Sequence, residues 1–232
     1  MNIRVLSRVA PFALYMAFVA LDELIRFLAG KGLFSITEQQ MLYIYPLKVF
    51  SVAALLYLFR NRYDEIAPRE LVKPSVVFAA FTAGIVVFVM WIHMDFPAAT
   101  IGLLRGYNPN LATEEAVRRL LIMSRIAGAA LVVPVMEELF WRSFLIRYII
   151  SHDFAKVPIG RFTWPSFLIT VVLFGFEHNL FLAGILAGIA YNLLLYFTRS
   201  IAACIVAHGV TNLLLGIYKT HYQSILDRKS VV

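Results

Sequence analysis

Two adjacent glutamates, Glu137 and Glu138, lie within the otherwise largely apolar stretch of residues 131–150. An ionised carboxylate in hydrocarbon costs several kcal/mol unless it is protonated, paired with a cation or facing water. Two adjacent carboxylates cost more because their negative charges repel each other. A chain keeps such a pair where partners offset the cost, and a site for acid–base chemistry is the usual reason.

The spacing of charged residues predicts different roles for the two glutamates. Glu138 and Arg142 are four positions apart and share one face of a helix, so the guanidinium can neutralise the carboxylate in a hydrogen-bonded ion pair. Glu137 is rotated from Glu138 by about 100° around the helix axis and points to a different neighbour. We therefore interpret Glu138 and Arg142 as supporting residues and Glu137 as the reactive carboxylate.

Two further polar clusters lie in apolar segments downstream. The first contains Phe174 and His178, four positions apart, with Glu177 beside the histidine. The second contains His208 and Asn212, again four positions apart and on one helical face. Ionisable groups at membrane depth are interpreted by default as functional, so both clusters are candidate parts of one site.

These clusters support two kinds of chemistry. In a hydrolytic site, Glu137 takes a proton from a water molecule with the help of His178. His208 and Asn212 then donate hydrogen bonds to an oxyanion. Alternatively, Glu137, His178 and His208 could bind a divalent metal, such as zinc, through one carboxylate and two imidazoles. The residues alone leave both possibilities open, and no cofactor is assigned.

Other polar residues in apolar segments have simpler interpretations. Asn192 could join the site, but a single asparagine at membrane depth more often forms a hydrogen bond between helices. Cys204 is the only cysteine and is interpreted as a small packing residue. Arg26 is expected to form a local ion pair with Asp22, four positions earlier, or with Glu23, three positions earlier.

The composition indicates an integral membrane protein. Of 232 residues, 61% are hydrophobic and 15% are charged, whereas a soluble domain carries about 25% charged residues. A membrane-spanning helix needs about 20 apolar residues, which predicts an all-α transmembrane bundle of seven spans, or eight if the long fourth segment holds two. The predicted spans are residues 9–29, 40–59, 75–94, 117–151, 164–178, 180–197 and 200–219. We predict a single domain, 1–232, with generic spans in 1–116 and a motif-bearing core in 117–220.

The net charge of +7 does not indicate a nucleic-acid partner. Short loops of membrane proteins collect lysine and arginine through the positive-inside rule and through anionic lipid headgroups. No basic stripe is interleaved with aromatic residues in a soluble region. The lipid bilayer is therefore the expected partner.

Three motifs in order carry a resemblance to a known family: EELFWR at 137–142, FGFEH at 174–178 and HGVTN at 208–212. On successive apolar helices, this set resembles the CAAX prenyl protease and bacteriocin-processing family of type II CAAX intramembrane endopeptidases. The resemblance covers residues 120–219. The same stretch also resembles the branch of that family found beside bacterial exosortase sorting systems.

The resemblance implies a membrane-embedded protease with a helical bundle and a cavity open toward the cytoplasmic side. It implies that Glu137 and His178 activate water, and that His208 and Asn212 stabilise the oxyanion. The second glutamate and the arginine of the motif at 137–142 are implied to support the site. The family has been described both as metalloproteases and as proteases with a metal-free glutamate mechanism, so a zinc ion stays an alternative.

The resemblance also implies a membrane-associated peptide or protein substrate and a location in a bacterial inner membrane. Whether the substrate is prenylated is left open. One alternative function is a non-catalytic scaffold or bacteriocin-immunity-like protein that keeps the motifs for packing. A second alternative is a proton-coupled transporter, which would favour an inverted repeat that this sequence does not have.

Overall fold

The regular structure of this protein is helical. The computed structural model describes residues 2–94, 96–102 and 107–229, and within these ranges it has no strand. The α-helices are Ile3–Gly30 (α1), Glu38–Met41 (α2), Ile44–Leu58 (α3), Pro74–Ile92 (α4), Glu115–Ala127 (α5), Val133–Glu138 (α6), Ile146–Ile150 (α7), Trp164–Phe176 (α8), Phe181–Thr198 (α9) and Ile201–Lys229 (α10). Two π-helical segments, Gly128–Val132 and Leu139–Leu145, join α5, α6 and α7 into one continuous helical run.

Five helical runs of the described chain are long and apolar enough to cross a membrane. They are Glu38–Leu58, Pro74–Ile92, Glu115–Ile150, Phe181–Thr198 and Ile201–Thr220. The prediction of an all-α membrane bundle is confirmed, but the count of seven or eight spans is not. Helix α8 is apolar but has 13 residues, about 20 Å of helix against a hydrocarbon core of about 30 Å. Helix α1 is not among the five, and the division of the chain near residue 116 stays a prediction.

Helices α8 and α9 form a closely packed hairpin. A Cβ atom on Gly175 would overlap the side chain of Ile185. A Cβ on Gly184 would lie 3.0 Å from the Cα of Gly175 and 3.2 Å from Nδ1 of His178. Because glycine lets helix backbones approach closely, the short turn between these helices holds His178 against α9.

The first π-helical segment changes the backbone pairing beside α10. The N–H of Val133 donates to the carbonyl of Gly128, five residues earlier, instead of to that of Ala129. The Ala129 carbonyl accepts a hydrogen bond from Nδ2 of Asn212 at 2.9 Å instead. This irregularity therefore ties α10 to the helical run that carries the glutamate pair, and such π-bulges are frequent at functional sites.

Pro134 adds a second irregularity one turn before the glutamate pair. Proline has no N–H, so it cannot donate to the carbonyl of Ala130, four residues earlier. Gly209 of α10 lies against this carbonyl, since a Cβ on Gly209 would be 2.9 Å from the Ala130 oxygen. The absence of a side chain at Gly209 lets the two helices approach at this level.

A buried ion network joins α1, the connector after α3 and the end of the 115–150 run. Arg8 donates to both carboxylate oxygens of Glu65, from Nε at 2.7 Å and from Nη2 at 2.5 Å. The hydroxyl of Ser143 also donates to Glu65. Arg147 donates from Nη2 to the Ser143 hydroxyl at 2.9 Å and lies 3.9 Å from the Glu65 carboxylate. One carboxylate therefore serves two buried guanidinium groups.

This network determines the ionisation of Glu65. Burial acts to raise the pKa of this carboxyl, but the hydrogen bonds from Arg8 and Ser143 outweigh burial, and its pKa lies below the usual value. A carboxyl whose pKa is lower in the folded state stabilises that state above its unfolded pKa. The stabilisation is lost as the pH falls from about 4.5 through the lower, folded-state pKa.

We predict that Glu65→Gln lowers the free energy of unfolding by about 3 kcal/mol at neutral pH, because two buried guanidinium groups lose their counter-charge. The measurement is thermal unfolding in detergent by tryptophan fluorescence. The matched control is Asp153→Asn, which removes an exposed ion pair with Lys156 and should leave the midpoint nearly unchanged. The pH dependence gives a second result of the same measurement. The unfolding midpoint of the wild type should fall at acidic pH, and it should fall less in Glu65→Gln. If Glu65→Gln and the wild type have the same unfolding midpoint at neutral pH and at acidic pH, Glu65 is not the counter-charge of Arg8 and Arg147.

Candidate active site

The side chain of Glu138 is fully buried at the end of α6 and joins two helices. Its Oε1 atom accepts a hydrogen bond from Nη1 of Arg142 at 3.0 Å. The same oxygen accepts one from Nδ1 of His208, on α10, at 2.9 Å. The structure therefore has the pair expected from the spacing of four, and it adds a histidine to that pair.

Arg142 is 1% exposed and is held on several sides. Its Nε donates to Oδ1 of Asn192 at 3.2 Å, and Nδ2 of Asn192 donates to the hydroxyl of Thr170 at 3.0 Å. The guanidinium carbon lies 4.4 Å from the ring centre of Phe174 and 5.3 Å from that of Tyr191. Asn192 thus forms hydrogen bonds between helices, which was the simpler of its two interpretations.

Glu137 points away from the ion pair and toward the other side of the His208 ring. Its side chain is buried, and its Oε2 atom has no hydrogen-bond partner among the described residues. This oxygen lies 3.9 Å from Nε2 of His208. A buried polar atom without a partner is rare in folded proteins and calls for an explanation, of which a catalytic role is one.

The ring of His178 has one nitrogen committed and one available. Its Nδ1 lies 2.8 Å from the carbonyl of Phe174, four residues earlier, and must carry a proton to donate there. In the neutral ring, Nε2 then has the lone pair. The ring packs edge-on against Trp91, with centres 5.3 Å apart, and its centre is 4.9 Å from that of Phe174. Packing and hydrogen bonding thus fix both the tautomer and the orientation of His178.

The ring of His208 is held by stacking and by its bond to Glu138. It stacks on Tyr191 with centres 5.1 Å apart and 23° between the planes. The Tyr191 hydroxyl donates to Thr211 at 2.8 Å, which fixes the tyrosine in turn. Phe174 lies beside both histidines, since its ring centre is 6.2 Å from that of His208. His178 and His208 thus share Phe174 as a neighbour, and Glu137 lies beside His208.

Asn212 lies on the same helix as His208, but its amide is already engaged. One Nδ2 proton is donated to the carbonyl of Ala129, the bond created by the first π-helical segment. Its second N–H is the one left for an oxyanion. The sequence pattern placed Asn212 beside His208 but did not indicate this backbone contact.

Sequence reasoning assigned no role to Glu177, which the structure brings into the same region. Its Oε2 atom accepts a hydrogen bond from Nε1 of Trp141 at 3.0 Å. Its position beside His178 in the second motif was the available signal.

The candidate metal ligands do not form a three-ligand site in this arrangement. Among the described residues, no group of three or more histidine, cysteine, aspartate or glutamate side chains is placed to hold a metal ion. We therefore derive no reaction step through a metal.

We predict that Glu138→Ala or Arg142→Ala lowers the free energy of unfolding by about 3–5 kcal/mol, because each leaves a buried charge without its partner. Thermal unfolding in detergent measures this. Arg119→Ala is the matched control, since Arg119 pairs with Glu115 at the same spacing, 2.6 Å apart but exposed. That control should change stability by less than about 1 kcal/mol. Equal effects of Arg119→Ala and Arg142→Ala would show that the buried pair contributes no more than a surface pair.

Comparison with known proteins identifies the part of the chain that carries this site. Residues 119–214 match the family model described as Rce1-like, type II CAAX prenyl endopeptidase. This range contains all three motifs. Comparison with curated proteins and with solved structures gives no match to the chain. Over residues 119–214, less than half of its length, the chain is similar to the CAAX protease family.

Proposed function

We propose that this protein is an intramembrane endopeptidase that hydrolyses a peptide bond with a water molecule activated by Glu137 and His178. The observation that carries the proposal is the buried Oε2 atom of Glu137, which has no hydrogen-bond partner among the described residues and lies 3.9 Å from His208 Nε2. The family match supports the same class of reaction, since the family is one of proteases.

In the proposed reaction, Glu137 is the general base and His178 orients the water. The Nε2 lone pair of His178 accepts a hydrogen bond from one water proton, and Oε2 of Glu137 takes the other as the water oxygen attacks the peptide carbonyl carbon. The carbonyl oxygen becomes an oxyanion. The protonated Glu137 then gives its proton to the leaving nitrogen, the C–N bond breaks, and the oxyanion collapses to a carboxyl group.

We propose that His208 and Asn212 stabilise the oxyanion. Because Nδ1 of His208 donates to Glu138, a hydrogen bond to the oxyanion must come from a proton on Nε2. The ring then carries a positive charge, which the Glu138 carboxylate faces at 2.9 Å. Asn212 contributes the N–H that is not donated to Ala129. Such donors, fixed before the reaction, are worth about 3–4 kcal/mol each to the transition state.

The proposed substrate is a membrane-associated peptide or protein. The site residues lie on or against three helical runs, 115–150, 181–198 and 201–220. Each of these runs is long and apolar enough to cross a membrane. A site among such helices receives substrate from the bilayer or its surface. The location in a bacterial inner membrane stays a prediction, because it rests on the resemblance alone.

We predict that Glu137→Ala and His178→Ala each lower the rate of peptide cleavage by at least about 100-fold while the unfolding midpoint changes little. The measurement is cleavage of candidate membrane peptides by purified protein in detergent, followed by mass spectrometry. His93→Ala is a matched control for His178, because Nδ1 of His93 has the same contact to the carbonyl four residues earlier, at 2.7 Å. Glu115→Ala, at an exposed position of the same helical run, controls for Glu137.

The outcomes separate catalysis from packing. Loss of cleavage together with loss of the fold, in both site variants, would point to a structural role and to the scaffold alternative. No cleavage of any peptide by the wild type would also contradict the proposal.

We also predict that cleavage persists when excess EDTA is added, because the proposed water activation needs no metal ion. The wild-type rate is compared with and without the chelator, at constant pH. Rates that fall with EDTA and return with added zinc would favour the metal-dependent alternative through Glu137, His178 and His208.

A further inference from the structure

A separate cavity lies between α1, the start of α3, the 107–111 loop and α5. It encloses about 230 Å³. Apolar side chains such as Phe18, Met41 and Leu42 form part of its wall, and Lys48 and Arg125 place two cations there. None of the motif residues lines this cavity.

The two cations stand on aromatic rings. Nζ of Lys48 lies 4.1 Å from the ring centre of Tyr15 and 5.1 Å from that of Tyr45. The Arg125 guanidinium lies 4.3 Å from Tyr45 and 5.6 Å from Tyr107. Lys48 is half-buried and Arg125 is exposed, so both can be reached from the cavity. Within the described part of the chain, neither forms an ion pair with a carboxylate.

Two of the carboxylates that line the same cavity, those of Asp22 and Glu38, are paired with Arg26. Arg26 binds Asp22 at 3.0 Å and Glu38 at 2.6 Å, so these three side chains form a group of their own. Glu23 also has an interaction of its own. The positive charges of Lys48 and Arg125 are therefore offset by ring faces rather than by a contacting carboxylate. Two cations beside apolar surface favour an anion between them.

The cavity lies along the helical run that carries Glu137, because Arg125 of this run is part of its lining. Tyr15, over which Lys48 lies, packs against the hydrophobic cluster that contains Val133 and Met136. Arg125 precedes Glu137 by twelve positions on one helical run, about 18 Å along its axis. An extended peptide covers this distance with about five residues.

We propose that this cavity is a subsite for an acidic side chain of the polypeptide substrate, about five residues from the bond that is cleaved. The inference rests on the proposed endopeptidase function. An aspartate or glutamate carboxylate of the substrate accepts two hydrogen bonds from Arg125 and is attracted by the positive charge of Lys48. The apolar walls of the cavity contact the flanking substrate residues. The subsite thereby gives Lys48, in the N-terminal half of the chain, and Arg125, on α5, a role in the preference for substrate sequence.

The test uses apolar peptides, amidated at the C-terminus, in which a single glutamate is moved along the sequence. Each has a twin with glutamine at the same position. We expect kcat/KM to be about 10-fold higher for glutamate at one position, as for a charge-assisted hydrogen bond. Amidation removes the terminal carboxylate, so the preference reports the side chain. The glutamate-to-glutamine ratio should fall to about 1 in Lys48→Gln and in Arg125→Gln.

Matched control variants remove other cations. Arg119→Gln changes an exposed arginine on the same helix, and Lys31→Gln changes an exposed lysine that stands over Phe27 outside the cavity. Both controls should keep the wild-type ratio. If Lys48→Gln does not fold, Arg125→Gln, at an exposed position, carries the test. The inference is overturned if the glutamate-to-glutamine ratio of kcat/KM is 1 in the wild type. It is also overturned if this ratio is unchanged in cavity variants that fold.

Binding to the Glu137→Gln protein separates the subsite from the hydrolysis. Binding that prefers glutamate and is lost in Lys48→Gln supports the subsite, even if no peptide is cleaved. The absence of cleavage would contradict only the proposed function. Cleavage of all peptides without preference contradicts the subsite and leaves the proposed function standing. A further experiment measures whether phosphatidylglycerol in nanodiscs binds to the protein and displaces the peptide. Lipid binding that requires Lys48 and displaces the peptide would assign the cavity to a lipid headgroup and overturn the inference.

Discussion

One carboxylate oxygen, Oε1 of Glu138, connects the two helices that carry the candidate site. It accepts a hydrogen bond from Arg142, on its own helical run, and one from His208, on α10. Because both bonds are buried, neither partner can exchange its bond for one to bulk water, and loss of the oxygen leaves Nη1 of Arg142 and Nδ1 of His208 without this acceptor. The orientation of the His208 ring, and with it the position of Nε2 beside Glu137, depends on this shared oxygen.

The helices around this oxygen are irregular where the site needs contacts. The first π-helical segment frees the carbonyl of Ala129 for Asn212, and Pro134 leaves that of Ala130 against Gly209. Helix α8 ends at Phe176, so the second-motif histidine lies in a turn rather than in a longer span. These departures from regular helix bring α8 and α10 to the glutamate pair. A regular helix over residues 128–145 would direct its carbonyls to its own N–H groups and leave Asn212 without this acceptor.

Local periodicity explains which features could be predicted from the sequence. The spacing of four between Glu138 and Arg142, and the rotation of about 100° to Glu137, follow from helix geometry and appear in the structure. The bond from His208 to Glu138 joins residues 70 positions apart and depends on how α10 packs. The Arg8–Glu65 pair is a similar long-range contact. The span count was not confirmed because α1 is not among the five apolar runs and α8 has 13 residues, and hydropathy does not indicate where α8 stops.

The different roles of the two adjacent glutamates are tested by comparing Glu137→Gln with Glu138→Gln. Both substitutions keep the size of the side chain and remove one negative charge. Peptide cleavage and thermal unfolding are measured on the same preparations. We expect Glu137→Gln to lose cleavage at an unchanged unfolding midpoint, whereas Glu138→Gln lowers the midpoint as well as the cleavage rate. A stable Glu138→Gln protein together with an unfolded or fully active Glu137→Gln protein would contradict this expectation.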